Sequence, residues 1–393
     1  MRHHYDHLII GAGMAGEAAT KAIHEISPEA RIGLIGAEPH PPYARPPLSK
    51  ALWKEADEDS IWLALDTSAI TLHAGRRVVS VDADAHRVSD DHGDEYHYGK
   101  LLLATGGEPR RLPFAGDRVL AFRTVEDYHQ LRRFAHQGAS IVVVGGGFIG
   151  CEIAAALASH GVKVTMIFPE VHPGARVYPA GLSAFIAGYY QERGVEIRAG
   201  RKVASGRQAG AHVELELDDG SSLTVDAVVA GMGVVPNVDL AQQAGCMLDH
   251  GVVVDECFRT TMADVYAAGD IASFPSQALG RRLRVEHEDA ALSSGRIAGL
   301  SMAGKPEPYA QLPFFYSDLF DLGYEAVGVL DNHLEIVEDW ITPNREGVVY
   351  YCEAGRVRGV LLWNVWGQID AARALIAEPG THTAASLRGR IRG

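Results

Sequence analysis

The chain has 393 residues, 47% of them hydrophobic and 22% charged, with a net charge of −14 and a pI near 5.7. That length is too great for one ordinary core, so two or three domains are expected. The acidic balance argues against a nucleic-acid partner, and the short basic end Leu387–Gly393 (LRGRIRG) does not offset it; that end reads as a loose, solvated tail.

His7–Ile10 reads as a buried strand. Gly11, Gly13 and Gly16 follow in G-x-G-x-x-G spacing and lead into a helix to about Ile26. In this motif the first glycine makes a tight turn, the second admits a pyrophosphate and the third brings helix and strand together. The helix N-terminus adds free N–H groups and a positive dipole end. Arg31–Ile35 reads as the second strand, and Glu38 follows at about the 20-residue distance at which an acid takes a ribose hydroxyl. The prolines of Pro41–Lys50 (PPYARPPLSK) stiffen a loop that fixes two cations, Arg45 and Lys50. Arg76–Val81, His86–Ser89 and Glu95–Tyr98 read as a small meander, with Gly93 at a turn. Lys100–Gly107 (KLLLATGG) reads as a buried strand that returns beside the first and brings Gly106 near the nucleotide. Glu108–Pro113 reads as a crossing between domains.

The same order then repeats. Ile141–Gly150 (IVVVGGGFIG) is a buried strand running into Gly145, Gly147 and Gly150, again in G-x-G-x-x-G spacing, with an Ala-rich helix over Ile153–Ser159. Val162–Phe168 reads as a strand, followed by an acid, Glu170, at the ribose distance. A hairpin turns at Asp219–Gly220, and Ala227–Gly231 ends in AGMG, matching the ATGG of the first half. Two copies of one plan predict two Rossmann-like folds, hence two dinucleotides and a flavin–nicotinamide oxidoreductase.

Val252–Asp255 and Asp264–Asp270 (DVYAAGD) come next. Asp270 stands at an expected helix start, as an N-cap, a cofactor contact or both. Arg284–Gly299 reads as a helix with Glu286 and His287 at its start. From Tyr309 the pattern changes. Glu325–Leu330, Glu335–Trp340, Val348–Cys352 and Val357–Leu362 read as short strands, with turns at Asp331–Asn332 and Ala354–Gly355, and Gln368–Ala377 reads as a helix. The fold class is therefore α/β, with two Rossmann-like dinucleotide-binding domains plus a C-terminal α+β domain.

The four cysteines, Cys151, Cys246, Cys257 and Cys352, lack metal-ligand or C-x-x-C spacing, so no metal site is expected. Cys151, at a helix start, is read as small-residue packing and given no catalytic role. No apolar run approaches the ~18 residues of a membrane span, and the first strand leaves no room for a signal peptide. A reduced, cytoplasmic setting is expected.

With these residues in hand, the chain resembles the FAD-dependent ferredoxin and rubredoxin reductases, and most of all their apoptosis-inducing-factor-like branch. The resemblance rests on PYARPPLSK (Pro42–Lys50), LATGGEPR (Leu103–Arg110), GGGFIGCE (Gly145–Glu152), AAGD (Ala267–Asp270), RVEH (Arg284–His287) and FFYSDLFDLGYEAVG (Phe314–Gly328). It implies an FAD domain from residues 1–113 and 246–308, an inserted NAD(H) domain at 114–245, and a domain at 309–393 covering the flavin. By the same resemblance FAD would be held by the Gly11 loop, Glu38, Arg45, Lys50, Arg77, Val78, Arg123, Gly269 and Asp270. Glu286 and His287 would lie near the pyrimidine end of the flavin or the nicotinamide. Phe148 would border one flavin face and move when nicotinamide binds, and Tyr316 would approach from the C-terminal domain. Lys50 and Glu152 would pair beside the flavin N5, where a fixed cation favours negative charge; the helix dipole supports Glu152 as the anion.

Three positions depart from the family pattern. Ala37 stands where relatives often carry an acid, which leaves the ribose to Glu38. Tyr316 replaces a more usual Trp. Phe168-Pro169-Glu170 follows the apoptosis-inducing-factor pattern, and Glu170 would repel a 2′-phosphate and favour NADH, although Arg176 nearby could accept NADPH. The expected activity is hydride transfer from NADH to flavin N5, then electron transfer to a carrier such as ferredoxin or rubredoxin. An NADH oxidase or quinone reductase and a slow-turnover NADH-dependent redox sensor are the alternatives. A homodimer is compatible with each.

Overall fold

The structure is a computed structural model, which describes residues 1–391. The chain divides into two compact units. The first comprises Met1–Ala44, Asp57–Glu108 and Pro236–Pro313; the second comprises Arg45–Ala56, Pro109–Val235 and the chain from Phe314 on.

The first unit is built on a seven-stranded sheet. Its parallel part runs Ile70–Ala74, Ile32–Gly36, Arg2–Ile10, Glu95–Leu103, with Val265–Ala267 also parallel to Glu95–Leu103. Ile9 lies opposite Leu34 on one side and Leu102 on the other, and all three are fully buried. Such apolar runs are what a sheet covered on both faces requires. Helices Met14–Ile26 and Glu288–Met302 approach so closely that a Cβ on Gly295 would sit 2.2 Å from the Ala15 carbonyl oxygen. Only the small residues Ala15, Ala19, Gly295 and Gly299 permit that contact.

Several boundaries differ from expectation. The first strand begins at Arg2, not His7, because His3 and Tyr5 alternate inward; His3 stacks on Tyr96, with ring centroids 4.9 Å apart. Glu95–Leu103 is one continuous strand where a meander strand and a separate buried strand were expected, since it pairs along nearly all of Arg2–Ile10. The strand Ile70–Ala74 was not expected at all. Asp270 caps no helix: Gly269–Ile271 is a single 3-10 turn that passes into the strand Ala272–Ser276. The last long helix starts at Glu288, with Arg284–His287 extended before it, because Glu288 and Asp289 supply the acidic first turn.

In the second unit a five-stranded parallel sheet has the order Glu196–Ala199, Lys163–Phe168, Ser140–Val144, Ala227–Ala230, Val119–Ala121. A three-stranded antiparallel sheet, Val203–Ala209, His212–Leu217 and Ser222–Val225, is inserted in the chain between its strands Glu196–Ala199 and Ala227–Ala230. From Phe314 the chain forms a five-stranded antiparallel sheet rather than the four strands expected. The additional strand is Phe314–Leu319, which pairs with Leu322–Gly328. The stiff Pro-rich loop resolves into two consecutive 3-10 turns, Pro46–Ser49 and Ala51–Lys54.

The basic C-terminal end is not loose. Leu387 is fully buried, Ile391 nearly so, and the Gly389 and Ile391 N–H groups donate to Asp339 and to the Tyr350 hydroxyl. Its apolar residues outweigh its charges; Arg392 and Gly393 lie outside the described residues. Leu387→Ala is expected to cost about 2–5 kcal/mol in urea unfolding. A change below about 0.5 kcal/mol would mark an ordinary surface site and refute the docking.

Candidate active site

Each unit carries a glycine loop at the carboxyl end of a central strand. In the first, Gly11 has φ +116°, and a Cβ on it would lie 2.0 Å from the Ala104 oxygen; a Cβ on Gly16 would lie 2.0 Å from the Gly11 oxygen. In the second, Gly145 (φ +124°) and Gly150 face the Gly231 and Gly145 oxygens at 2.3 and 2.2 Å. The chain itself requires these four glycines.

The middle glycines are different. Gly13 and Gly147 have ordinary φ values of −94° and −85°, and a Cβ on either would meet nothing within 4 Å. Each is the N-cap of its helix and makes no side-chain cap bond, so the first N–H groups stay available to an anion. A glycine that protein packing does not need is explained by a ligand passing against the backbone. Both loops therefore fit a dinucleotide pyrophosphate.

Around the first loop, Glu38 follows the strand Ile32–Gly36 and accepts a hydrogen bond from the Tyr43 hydroxyl. The Gly269–Asp270 turn lies against the start of the first helix, since a Cβ on Gly269 would be 3.1 Å from that of Ala15. Arg284 donates to the Asp270 carbonyl at 3.1 Å and to Glu286 at 2.8 Å, gathering these three at one place. His287 is the N-cap of Glu288–Met302, and burial pushes its imidazole down to about 4 against the opposing pull of Asp270. It is therefore neutral at pH 7. Val78 opens an antiparallel strand, while Arg77 is exposed 3.9 Å from Glu108.

The second unit brings Lys50, Phe148, Glu152 and Tyr316 together. Glu152 sits in the second turn of the helix Phe148–Ser159, not the first, and is only 3% exposed. Its Oε2 accepts from Lys50 Nζ at 2.8 Å and from the Ser49 hydroxyl at 2.6 Å. Its Oε1 accepts from the Ser317 hydroxyl at 2.6 Å. Lys50 Nζ also lies 5.2 Å from the centre of the Tyr316 ring, a cation–π contact. Phe148 packs against Phe315, centroids 5.2 Å apart. Arg45 donates to the Arg123 carbonyl at 2.9 Å, joining two more of the expected flavin residues. Glu170, just past the strand Lys163–Phe168, pairs with Arg176.

Ser49 and Ser317 were not singled out from the sequence, although both lie inside quoted motifs. The available signal was chemical: a carboxylate within a helix flanked by Cys151 and Ile153 needs donors from elsewhere. All four cysteines are buried and free, and burial pushes the Cys151 thiol up to about 12 and that of Cys352 to about 11.

Three outcomes test this geometry. Gly13→Ala and Gly147→Ala should fold with unchanged circular dichroism yet weaken FAD and nicotinamide-nucleotide binding respectively, whereas Gly16→Ala and Gly150→Ala should fail to fold. Loss of folding in the first pair would remove the ligand argument. Native protein should resist iodoacetamide at pH 8 and label at all four cysteines only after unfolding; fast native labelling would contradict their burial. His287 has a folded pKa below its unfolded value, so the unfolded chain binds the extra proton between about 4 and 6.5. Stability should fall as pH drops through that window, and His287→Gln should flatten the slope.

Comparison with known proteins bears on this arrangement. Residues 5–295 match the pyridine nucleotide-disulphide oxidoreductase family. The chain is 34% identical over 384 residues to the ferredoxin–NAD(+) reductase component of the anthranilate 1,2-dioxygenase system of Burkholderia cepacia, covering 94% of this chain and 93% of that protein. It is 32% identical to mitochondrial apoptosis-inducing factor 1 of Dictyostelium discoideum, covering 96% of this chain and 79% of that protein. Among solved structures, the covalent complex of putidaredoxin reductase with putidaredoxin matches with a TM-score of 0.89 and 31% identity, covering 95% and 93% of the two chains. The chain thus belongs to the pyridine nucleotide-disulphide oxidoreductase family and is an oxidoreductase using FAD and NAD(H).

Proposed function

We propose that this protein takes hydride from NADH and passes electrons, one at a time, to a separate carrier protein of ferredoxin or rubredoxin type. One observation carries the reading. The chain belongs to a family named for disulphide chemistry, yet its four cysteines are all buried and unpaired, and their thiols are raised by burial. With no internal thiol to receive them, electrons leave to an external acceptor. The Burkholderia relative is named as a ferredoxin–NAD(+) reductase and the matching solved structure is joined to putidaredoxin, which supports a ferredoxin-type carrier.

In this reading residues 1–113 and 246–308 form the FAD domain, 114–245 the NAD(H) domain and 309–393 the domain over the flavin. Bound FAD supplies the conversion from a hydride to single electrons. The residues of this chain hold and tune it. The Gly11 and Gly145 loops bind the two pyrophosphates. Glu38 holds the FAD ribose, and Arg45, Arg77, Val78, Arg123, Gly269 and Asp270 complete the flavin site. Neutral His287, Glu286 and Tyr316 border the ring, and Phe148 guards the face that nicotinamide reaches. Lys50, fixed by Glu152, presents a cation to the site of developing negative charge. Glu170 selects NADH by taking the ribose hydroxyls. A cytoplasmic location is proposed on the free cysteines; among the described residues no helix is long and apolar enough to cross a membrane.

The match to apoptosis-inducing factor supports a second reading, a redox sensor with slow turnover. Anaerobic stopped-flow absorbance separates the two. Fast bleaching by NADH, then fast reoxidation by an added ferredoxin or rubredoxin, is expected. Slow bleaching, a long-wavelength band that persists in air and a NADH-dependent change in oligomer size would favour the sensor, and bleaching reversed only by oxygen or quinone would favour an oxidase or quinone reductase. Glu170→Ala should raise the KM for NADH about tenfold, the worth of about 1.5 kcal/mol of charged hydrogen bonding, and narrow the gap to NADPH. An unchanged nucleotide preference would remove Glu170 from the site.

A further inference from the structure

We propose that a cleft leading away from Glu152 is the exit for the proton released in turnover, with Glu152 relaying that proton from Lys50 to water. This rests on the electron-transfer reading above. Its balance is NADH plus two oxidised one-electron carriers giving NAD(+), two reduced carriers and one proton. The protein must let that proton out of a site built to exclude water.

The cleft lies within the second unit, bordered by Ser49, Lys50, Glu152, Ala156, Asp318 and Lys54 among others. Side-chain exposure rises along it, from 2% at Glu152 and 11% at Lys50 to 35% at Asp318 and 59% at Lys54. Lys54 and Asp318 pair at 3.0 Å where the cleft meets solvent. Its volume is about 50 Å³, and a single water needs roughly 10–15 Å³, so a short water chain fits. The cleft is polar at its floor, where Ser49 and Lys50 hold Oε2, and at its mouth; between them Trp53, Ala155, Ala156 and Phe320 make the wall mostly apolar, and Ala156, one helical turn beyond Glu152, leaves the middle open.

Among the described residues, Lys50 pairs with Glu152, and Cys151, Tyr190 and Tyr324 lie within reach of its charge. The Tyr190 hydroxyl donates to the Cys151 carbonyl and the Cys151 Sγ to the Gly146 carbonyl, so both of these protons are directed away from the Glu152 carboxylate. Oε1 is held by Ser317, itself buried. The path runs through Oε2. A Lys50 Nζ–H bond breaks as a Glu152 Oε2–H bond forms. Nζ then forms a new N–H bond with the proton that bound FAD loses from its own N–H when the two carriers reoxidise it, and is again an ammonium. Oε2–H then breaks to cleft water, and the carboxylate is restored.

The test is a single turnover of the FAD-loaded protein with NADH and ferricyanide in weak buffer, with a pH indicator reporting proton release. In the wild type one proton per NADH should appear in step with ferricyanide reduction. Ala156→Leu fills the cleft and Asp318→Asn removes the acid at its mouth; neither residue is assigned to cofactor or substrate. Proton release about tenfold slower in either variant, with NADH bleaching unchanged, supports the relay. Release in step with reduction in both variants overturns it while leaving the electron-transfer reading intact. Failure of NADH to bleach the wild type overturns that reading and the relay with it.

Discussion

The carboxylate of Glu152 is the point on which the second unit turns. It is almost fully buried, and taking an ionised carboxylate out of water is among the largest costs a fold meets. Three donors offset that cost, and they arrive on two segments far apart in the chain: Ser49 and Lys50 on the Pro-rich turns and Ser317 on a strand of the C-terminal sheet, with Glu152 itself on the helix behind the second glycine loop. Losing one partner of such a pair costs about 3–5 kcal/mol, because the other charge is left buried and unpaired. Buried pairs are weak devices for stability. What this one does in the structure is fix an ammonium in one position against the Tyr316 ring, as the proposed flavin role of Lys50 requires.

The glycine loops show how the same chain separates structural from functional demands. In both loops the outer glycines are forced by protein atoms closer than 2.5 Å to where a Cβ would be, and the central glycine is forced by nothing in the protein. The duplication is therefore one of ligand geometry as well as of strand order. Helix N-termini that lack a side-chain cap complete the arrangement, since a capping oxygen would compete with phosphate for the same N–H groups.

The cysteines then narrow the chemistry. A thiol pair near the flavin would divert electrons into disulphide reduction, but here the thiol beside Glu152 is buried and raised to about 12, and its Sγ donates to the Gly146 carbonyl instead. What remains near Lys50 is a serine where a thiol could have stood, and Ser49 spends its hydroxyl on Glu152. The same residue types that hold the carboxylate thus leave the electrons to an acceptor outside the chain and the proton to the solvent cleft.

Much of this was legible in the sequence. Both G-x-G-x-x-G loops, their strands, the acids that follow and the change of character after Tyr309 are local patterns, written in residues that sit within a few positions of each other. Periodicity alone also misled at particular places. The strand Ile70–Ala74 has a weak pattern and exists because Ile32–Gly36 offers it an open edge. The helix expected from Arg284 starts at Glu288, because its first residues make other contacts. The basic tail docks because Leu387 and Ile391 are buried and its backbone donates to Asp339 and Tyr350 on strands that precede it in the chain. By itself, then, the sequence determined the fold class and the two nucleotide loops, since each depends on local spacing and residue type, whereas the Lys50–Glu152 pair was implied only by the family resemblance. Only the tertiary structure decided that Ser49, Lys50 and Ser317 converge on one carboxylate and that a water-sized cleft reaches it. Those partners are over a hundred positions from Glu152, and nothing in local propensity encodes which distant donors will meet a buried charge.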